Sequence, residues 1–359
     1  MRVNQRLLRG ACRIGTVGVA FLALSGCFSD NTVKHSIEDY AERLSRVLDT
    51  PLPPSFDDSI VRPLPTLADS VSLRHNIEPI SINLREFYAL QDCELGTVVA
   101  ERNTSLGKSQ LPSQRLVHES KLLTVLKECE AALQNDQGSG NEKLAVTIAS
   151  WRKQKTIDYA KTWANLIQGS QELRLALNTP QRLFSVENNK DSLSSVNALF
   201  YLTTVNNAAN LATPINSSEL ENQLHIVRSG RLPATLWQTQ QTLAHTLSEL
   251  THMLSPKLEA VSCPDGRASD QAKILRNVFY LFFIEKIQPV GSLVNQYHYK
   301  LSPLWEKWLN EPSLHNELKR YIENQTQEGF AQYSDAMKSH VSLWQQFLGR
   351  CNLSPVAPG

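Results

Sequence analysis

Apolar residues recur at helical spacing along almost the whole chain after residue 83. The pattern is clear in the long stretch after Glu142 and clearest in the last one, over residues 327–348. Intervals of three and four residues place side chains on one face of an α-helix. Alternating apolar and polar runs between turn residues, the pattern of β-strands, are hard to find. The sequence therefore predicts an all-α fold. The stripe of the last stretch consists of Phe330, Tyr333, Met337, Val341, Trp344 and Leu348.

We expect a bundle of roughly ten helices, which could form two sub-bundles, each closed by its own disulfide. Pro180 ends a helical stretch and suggests an N-terminal part over residues 35–180 and a C-terminal part over residues 181–359. The apolar run 278–284 fits either a buried strand or a core helix, and the helical pattern that continues beyond it favours the helix.

The first helix and the segment after it have distinct signals. Ser36 precedes an apolar series and has Asp39 three residues later, so it is the expected N-cap. Residues 51–65 contain five prolines, which disfavour regular structure. Because apolar residues such as Phe56 and Ile60 lie between those prolines, an extended strap packed on the body is favoured over a free linker.

The N-terminus has the features of an export signal. Four arginines and no acidic residue precede the short apolar run 14–24, which is typical of a secretory signal peptide. Leu24-Ser25-Gly26-Cys27 resembles the lipobox of bacterial lipoproteins, which predicts removal of residues 1–26 and acylation of Cys27. Residues 27–34 would then be a lipidated tether. The alternative is that Cys27 merely ends an ordinary signal peptide.

These signals predict the cellular location of the protein and make one class of partner, nucleic acid, unexpected. Phe28 stands where lipoproteins retained in the inner membrane often carry Asp, so we expect a protein anchored in the outer membrane by its acyl chains and facing the periplasm. Removing residues 1–26 takes four of the 36 basic residues and none of the 35 acidic ones, which leaves a net charge of −3. A mildly acidic chain gives no reason to expect nucleic-acid binding.

Four cysteines remain in the body, and an oxidising compartment favours their pairing. They are Cys93, Cys129, Cys263 and Cys351, which allow three connectivities. The turn-rich stretch 107–112 lies about midway between Cys93 and Cys129, so two antiparallel helices would bring these sulfurs together. We therefore expect Cys93–Cys129 and Cys263–Cys351. A zinc site would need close spacings such as C-x-x-C, which the sequence lacks.

His245, Glu249 and His252 form the pattern closest to a metal site. They lie at i, i+4 and i+7 and contain the Glu-x-x-His spacing of di-iron bundles. At about 100° per residue, they fall on the side of the helix opposite its leucines. No second Glu-x-x-His accompanies them. A solvated polar face is the favoured interpretation, with a weak surface metal site as the alternative; no metal or other cofactor is predicted.

The most polar cluster between predicted helices is a candidate functional loop. Its Ser-x-x-Lys spacing is also found in Ser–Lys nucleophile pairs, but Gly107 and the following Pro112 favour a capped turn that ends a helix. Ser139 lies outside the strand–turn–helix context of a nucleophile elbow. The sequence therefore predicts no catalytic set. The candidate loop residues are Glu101, Arg102, Asn103, Ser105 and Lys108.

The same region resembles a known family. Residues 101–108 read Glu-Arg-Asn-Thr-Ser-Leu-Gly-Lys, and residues 113–116 read Ser-Gln-Arg-Leu. They are similar to the Arg-Asn-Ser-Ser-Leu-Gly and Ser-Gln-Arg-Leu patterns of an uncharacterised lipoprotein family of gammaproteobacteria, domain of unknown function 3080, with Thr104 in place of a serine. The resemblance implies a lipoprotein of the envelope over most of the mature chain, and it supplies no activity and no catalytic residue.

Three functions agree with these features. The first is a non-enzymatic lipoprotein that binds an envelope partner, either a protein or a cell-wall component. The second is an envelope hydrolase or peptidoglycan-active enzyme that uses Glu101 and the 102–108 loop, because a carboxylate in a cleft can act as a general acid or base. The third is a carrier of a lipid or another small ligand between the sub-bundles.

Overall fold

The computed structural model describes residues 33–355 apart from 91–92, 136–140, 188, 190 and 208–212. The proposed signal peptide and Cys27 lie outside these residues. The described chain is helical and contains no strand, which confirms the predicted all-α class. The helices are α1 (Val33–Leu48), α2 (Ser55–Asp58), α3 (Leu84–Ala89), α4 (Leu95–Asn103), α5 (Ser105–Lys108), α6 (Pro112–Asn135), α7 (Asn141–Gly169), α8 (Gln171–Asn178), α9 (Ser192–Thr204), α10 (Ser217–Gly230), α11 (Leu232–Ala260), α12 (Asp270–Val278), α13 (Gln288–Asn310), α14 (Asn316–Glu323) and α15 (Gly329–Arg350).

Helix α1 begins earlier than the sequence suggested. Val33 is already helical and buried, and Ser36 lies inside the helix with its side chain buried. The prediction of Ser36 as the N-cap is therefore wrong. Val33 and Ile37 are four residues apart, so Val33 extends the apolar face of the helix by one turn, and burying it stabilises that extra turn.

Two π-helical segments interrupt the long C-terminal helices. The segment π1 (Phe279–Ile287) joins α12 to α13, and the segment π2 (Asn324–Glu328) joins α14 to α15. The apolar run 278–284 is thus helical rather than a strand. At the end of π1, Gln288 N–H bonds the carbonyl of Phe283, five residues earlier. The widened turn accommodates Pro289, which has no N–H for the next bond.

Helix α11 is the centre of the main core. It packs against α1, α8, α9, α13 and α15. Four tryptophans form a continuous buried cluster beside it, with Trp237 and Trp305 ring centroids 5.4 Å apart and those of Trp305 and Trp308 5.5 Å apart. Trp163 meets Trp308 edge-on at 6.5 Å. These side chains belong to the core, where each buries a large apolar area.

A second, smaller hydrophobic cluster lies between α4, α6 and the first half of α7. It contains Leu95, Leu122, Leu126 and Ile148, and all its members fall within residues 82–151. Helices on either side of residue 180 pack on each other, since α8 contacts both α10 and α11. The two clusters therefore separate at a different place from residue 180, and both belong to one compact unit, Thr32–Gly359.

Both predicted disulfides are confirmed, with one in each cluster. Cys93 and Cys129 have Cα atoms 5.6 Å apart, and those of Cys263 and Cys351 are 5.2 Å apart. Cys93 precedes α4 and Cys129 lies late in α6, so the turn between these helices brings the sulfurs together as the spacing indicated. Among the described residues, every helix is too short or too polar to cross a bilayer.

Candidate functional site

A cavity of about 550 Å³ lies between α4, α6, α7 and the extended segment 77–82. Helix α6 contributes five lining residues at i, i+3, i+4, i+7 and i+11, which share one side of the helix. Helix α7 contributes Trp151 and Lys155, which are four residues apart. Two ion pairs join α6 to the middle of α7: Lys155 with Glu119 and Arg152 with Glu130. The α6 residues are Arg115, His118, Glu119, Leu122 and Leu126.

About half of the cavity lining is apolar. Nine of its lining residues carry hydrocarbon or indole side chains, and they come from the 77–82 segment and from all three helices. This is the type of surface that takes an alkyl chain out of water. The apolar lining residues are Ile77, Pro79, Ile80, Ile82, Leu95, Val99, Leu122, Leu126 and Trp151.

The rest of the lining is strongly cationic. Arg102, Lys108, Arg115 and Lys155 line the cavity together with a single carboxylate, Glu119. Four positive charges against one negative charge leave an excess of three. Lys155 is buried and paired with Glu119, whereas Arg102 and Arg115 are half-buried and Lys108 is exposed. Because a cleft lined by charges of one sign attracts the opposite charge, this excess favours an anion in the cavity.

Glu119 is the buried centre of the ion pairs. It is 2% exposed, and its Oε2 lies 3.2 Å from Nζ of Lys155, which is itself 7% exposed. Arg115 Nη2 forms an ion pair with Oε1 of the same carboxylate, while Arg115 Nη1 has no hydrogen-bond partner among the described residues. One donor of the guanidinium therefore remains available to a ligand.

His118 adds a second polar atom without a partner. The ring is 6% exposed, and its Nε2 lies 3.1 Å from the carbonyl oxygen of Val98. Since a carbonyl can only accept, Nε2 donates its hydrogen to it. Within the described chain Nδ1 has no hydrogen-bond partner, although Glu119 Oε1 lies 4.0 Å away. A buried polar atom left in this state needs an explanation, and a polar group of a ligand would provide one.

The candidate loop forms a capped turn at the mouth of this cavity. Thr104 Oγ1 accepts a hydrogen bond from Gly107 N at 3.0 Å, and the Arg102 guanidinium donates to the Gly107 carbonyl. A Cβ atom on Gly107 would lie 2.4 Å from the carbonyl oxygen of Glu101. Glycine is thus required because α5 folds back closely on the end of α4. The turn places the side chains of Arg102 and Lys108 in the cavity lining.

The predicted loop residues divide into two groups. Arg102, Asn103 and Lys108 line the cavity, whereas Glu101 and Ser105 do not. The Glu101 side chain is 51% exposed and forms an ion pair at 3.8 Å with Lys121. Ser105 is also exposed. Among the described residues, no hydrogen bond joins Ser105 to Lys108, so the structure does not assemble the Ser–Lys pair considered from the sequence.

The histidines of α11 have a different environment from the solvated face expected. The strap formed by residues 51–65 lies over part of this face: Arg62 N donates to Thr242 Oγ1 at 3.3 Å, and the Arg62 guanidinium contacts His245. Burial and the Arg62 charge lower the pKa of His245, and Glu249 opposes them.

Glu249 Oε2 accepts a 3.5 Å hydrogen bond from Ser55 in the strap, while His252 is exposed. The prediction of an entirely solvated face is thus wrong for His245 and Glu249. In the part of the chain that the structure describes, no three His, Cys, Asp or Glu side chains converge as a metal site would require.

Comparison with curated proteins and with solved structures gives no match. One family model does match, described as "Protein of unknown function (DUF3080)", over residues 37–355. The matched region contains α4 to α7, both disulfides and the whole cavity. This chain therefore belongs to the DUF3080 family.

Proposed function

We propose that this chain is a lipoprotein of the bacterial outer membrane, facing the periplasm, whose helical body binds an anionic amphiphile. The single observation that carries the proposed ligand is the cavity, whose lining combines nine apolar residues with four cationic side chains. The lipobox at Cys27 supports the anchor and its location. Of the three functions considered from the sequence, this proposal is closest to the carrier of a lipid or another small ligand, and it specifies that ligand as a small molecule with an acid group and a hydrocarbon tail.

The size and the groups of the cavity agree with this ligand. Its volume of about 550 Å³ lies within the range of small-molecule sites. A carboxylate or phosphate would meet the cations and the unpartnered Arg115 Nη1, and charge-assisted hydrogen bonds of this type are strong. The tail would lie along Leu122, Leu126 and Trp151. Each methylene removed from water contributes about 0.8 kcal/mol.

The hydrolase hypothesis is less well supported. Its proposed acid, Glu101, is half exposed and lies outside the cavity lining, beside Lys121. A general acid or base must lie within hydrogen-bond reach of the substrate, and an exposed side chain outside the cavity does not meet this requirement. The Glu101→Gln variant consequently serves as a control with unchanged ligand binding.

The ligand can be tested on the full lipidated chain in mild detergent with a photoactivatable fatty acid. We expect cross-links to peptides that contain Leu122, Leu126 or Trp151. Lys108→Glu reverses one charge at the mouth and should reduce labelling about tenfold, which corresponds to about 1.4 kcal/mol. Lys127→Glu, an exposed position on α6 outside the cavity, is the matched control and should label like the wild type.

Two further arms identify the head group and its source. A photoactivatable fatty alcohol has the same tail without the charge and should label weakly. Competition by free palmitate or by lysophosphatidylglycerol distinguishes a fatty acid from a phospholipid. Equal labelling by acid and alcohol, or equal labelling of Lys108→Glu and Lys127→Glu, would refute the proposal.

The anchor has a separate test. Cells grown with labelled palmitate should incorporate it into the wild-type chain and not into Cys27→Ser. Density-gradient separation of the two membranes should recover the labelled protein with the outer membrane. Label on the Cys27→Ser variant would contradict acylation at this residue, and recovery with the inner membrane would contradict the location.

A further inference from the structure

We propose that a second site, a groove between α13, α14 and π2, binds an uncharged oligosaccharide of N-acetylhexosamine units. The groove has a volume of about 910 Å³ and is distinct from the amphiphile cavity, with which it shares no lining residue. The residues that carry the argument are Trp305, Glu306, Asn316, Lys319, Arg320 and Glu323.

The first observation is an unpartnered indole N–H in the groove lining. Trp305 is 2% exposed, and its Nε1 has no hydrogen-bond partner among the described residues. Other buried tryptophans are paired: Trp308 Nε1 donates to Thr203 Oγ1 at 2.9 Å and Trp163 Nε1 to the Leu202 carbonyl at 2.7 Å. A buried indole usually finds an acceptor, so the Trp305 N–H points to one supplied from the groove.

The second observation is a balanced set of charges that are not engaged with each other. Glu306 and Glu323 line the groove with Lys319 and Arg320. The charged groups of these four side chains form no ion pair and no hydrogen bond with another described residue. Two negative and two positive groups give no net attraction for an ion, in contrast to the excess of three positive charges in the cavity. They offer acceptors and donors side by side. Sugar hydroxyls, which donate and accept at once, satisfy both.

Aromatic side chains surround one residue of the groove lining. His298 lines the groove and stacks on Phe330 with ring centroids 3.4 Å apart. Tyr299 lies beside both rings, outside the groove lining, and is 65% exposed. Burial lowers the pKa of His298 to about 4, so this ring is neutral at ordinary envelope pH and leaves the charge balance unchanged.

The π2 segment gives the groove a fixed wall. Gln240 Nε2 donates to the Gln325 carbonyl at 2.8 Å, and Gln241 Nε2 donates to Gln325 Oε1 at 2.7 Å. A Cβ atom on Gly329 would lie 2.7 Å from Gln240 Nε2, so the glycine leaves room for this contact. Gln325 is therefore held against α11 while Thr326 and Gln327 line the groove. Wide π turns of this kind are frequent at functional sites.

The test is titration of the full chain with N-acetylglucosamine tetramer, followed by calorimetry. Glu306→Ala/Arg320→Ala removes one charge of each sign from the groove and should weaken binding at least tenfold. The matched control, Lys307→Ala/Glu317→Ala, removes one charge of each sign from the same two helices outside the groove and should bind like the wild type. Trp305→Phe retains an aromatic ring, lacks the N–H and should weaken binding about fivefold.

The outcomes separate this site from the cavity. Loss of tetramer binding in the groove variant with unchanged fatty-acid labelling supports two independent sites. Three results would each overturn the proposal. The wild type does not bind the tetramer, or the groove variant and its control bind it equally. The third is that the wild type binds a zwitterionic stem peptide in place of the tetramer. Melting temperatures equal to that of the wild type establish that the groove variants are folded.

Discussion

His340 should make the stability of this protein depend on pH between 6.5 and about 3. The ring is fully buried among α1, α11, π1 and α15, where it contacts Tyr40, Thr251, Phe283 and Trp344. Among the described residues around it, none of these neighbours carries a charge. Burial therefore lowers the pKa of His340 to about 3, and the folded protein holds the neutral ring.

The hydrogen bonds fix the form of that ring. Thr251 Oγ1 donates to the Leu247 carbonyl at 2.6 Å, so it accepts from His340 Nδ1 at 2.9 Å. Nε2 is then the acceptor for the Tyr40 hydroxyl at 2.9 Å and for Trp344 Nε1 at 3.2 Å. A proton added at Nε2 would face two donors, which is a further reason for the neutral form.

The magnitude follows from the two pKa values. The unfolded chain has an ordinary histidine pKa of about 6.5, so it binds the proton over a range in which the folded chain does not. Stability from this residue is full above pH 6.5 and decreases as the pH falls towards the folded value. Between pH 7 and pH 5, the free energy of unfolding should decrease by about 2 kcal/mol through His340 alone.

Urea unfolding at pH 5, 6 and 7, followed by tryptophan fluorescence with the disulfides intact, measures this contribution. In His340→Asn the amide can still donate to Thr251 but does not titrate. The variant will be less stable overall because Tyr40 loses its acceptor. Its decrease between pH 7 and pH 5 should nonetheless be smaller than that of the wild type by about 2 kcal/mol. Parallel pH dependences would refute the reasoning, because other titrating groups are common to both proteins.

Two further predictions concern the cavity between α4, α6 and α7 and the disulfide that joins α6 to the segment before α4. Gly107→Ala forces α5 away from α4 and should cost about 1–3 kcal/mol and weaken fatty-acid labelling; Gly169→Ala, where a Cβ meets nothing within 4 Å, should leave both unchanged. A melting curve and the labelling assay check both variants. The Cys93→Ser/Cys129→Ser pair opens a loop with a sequence separation of 36 and should lower the free energy of unfolding by about 4 kcal/mol. A denaturant unfolding curve of this double variant that coincides with the wild-type curve would contradict the expected loss of stability.

Local spacing was sufficient to predict the fold class and both disulfides. Helix-forming periodicity is a property of neighbouring residues, and the Cys93–Cys129 pairing followed from a turn-rich stretch between two helices. The first turn of α1 was missed because capping signals at Ser36 competed with one more apolar residue, Val33. The helix begins at Val33 because that side chain is buried against distant helices. The spacing of residues in the sequence does not reveal such long-range packing.

The cavity was only partly visible in the sequence. The loop with Arg102 and Lys108 stood out because it is polar, but Glu119 and Lys155 lie within long helices, where charged residues are normally expected on the solvent side. Their burial depends on their pairing across two successive helices, and the spacing within either helix does not show that pairing. One feature of the sequence could have indicated that Glu119 is paired. Arg115 lies four residues before it, which is the spacing of an ion pair within a helix, and Arg115 belongs to the segment that resembles the family pattern. The strap over His245 is a similar long-range effect.

If Cys27 is acylated as proposed, the early start of α1 limits how far the body can lie from the bilayer. Only five residues lie between Cys27 and Val33, whose side chain is already part of the core. Fully extended, a tether of this length spans about 20 Å. With acyl chains on Cys27, the protein could not shuttle a ligand across the periplasm. It would act as a stationary receptor at one leaflet, exchanging its amphiphile with the same membrane that holds it.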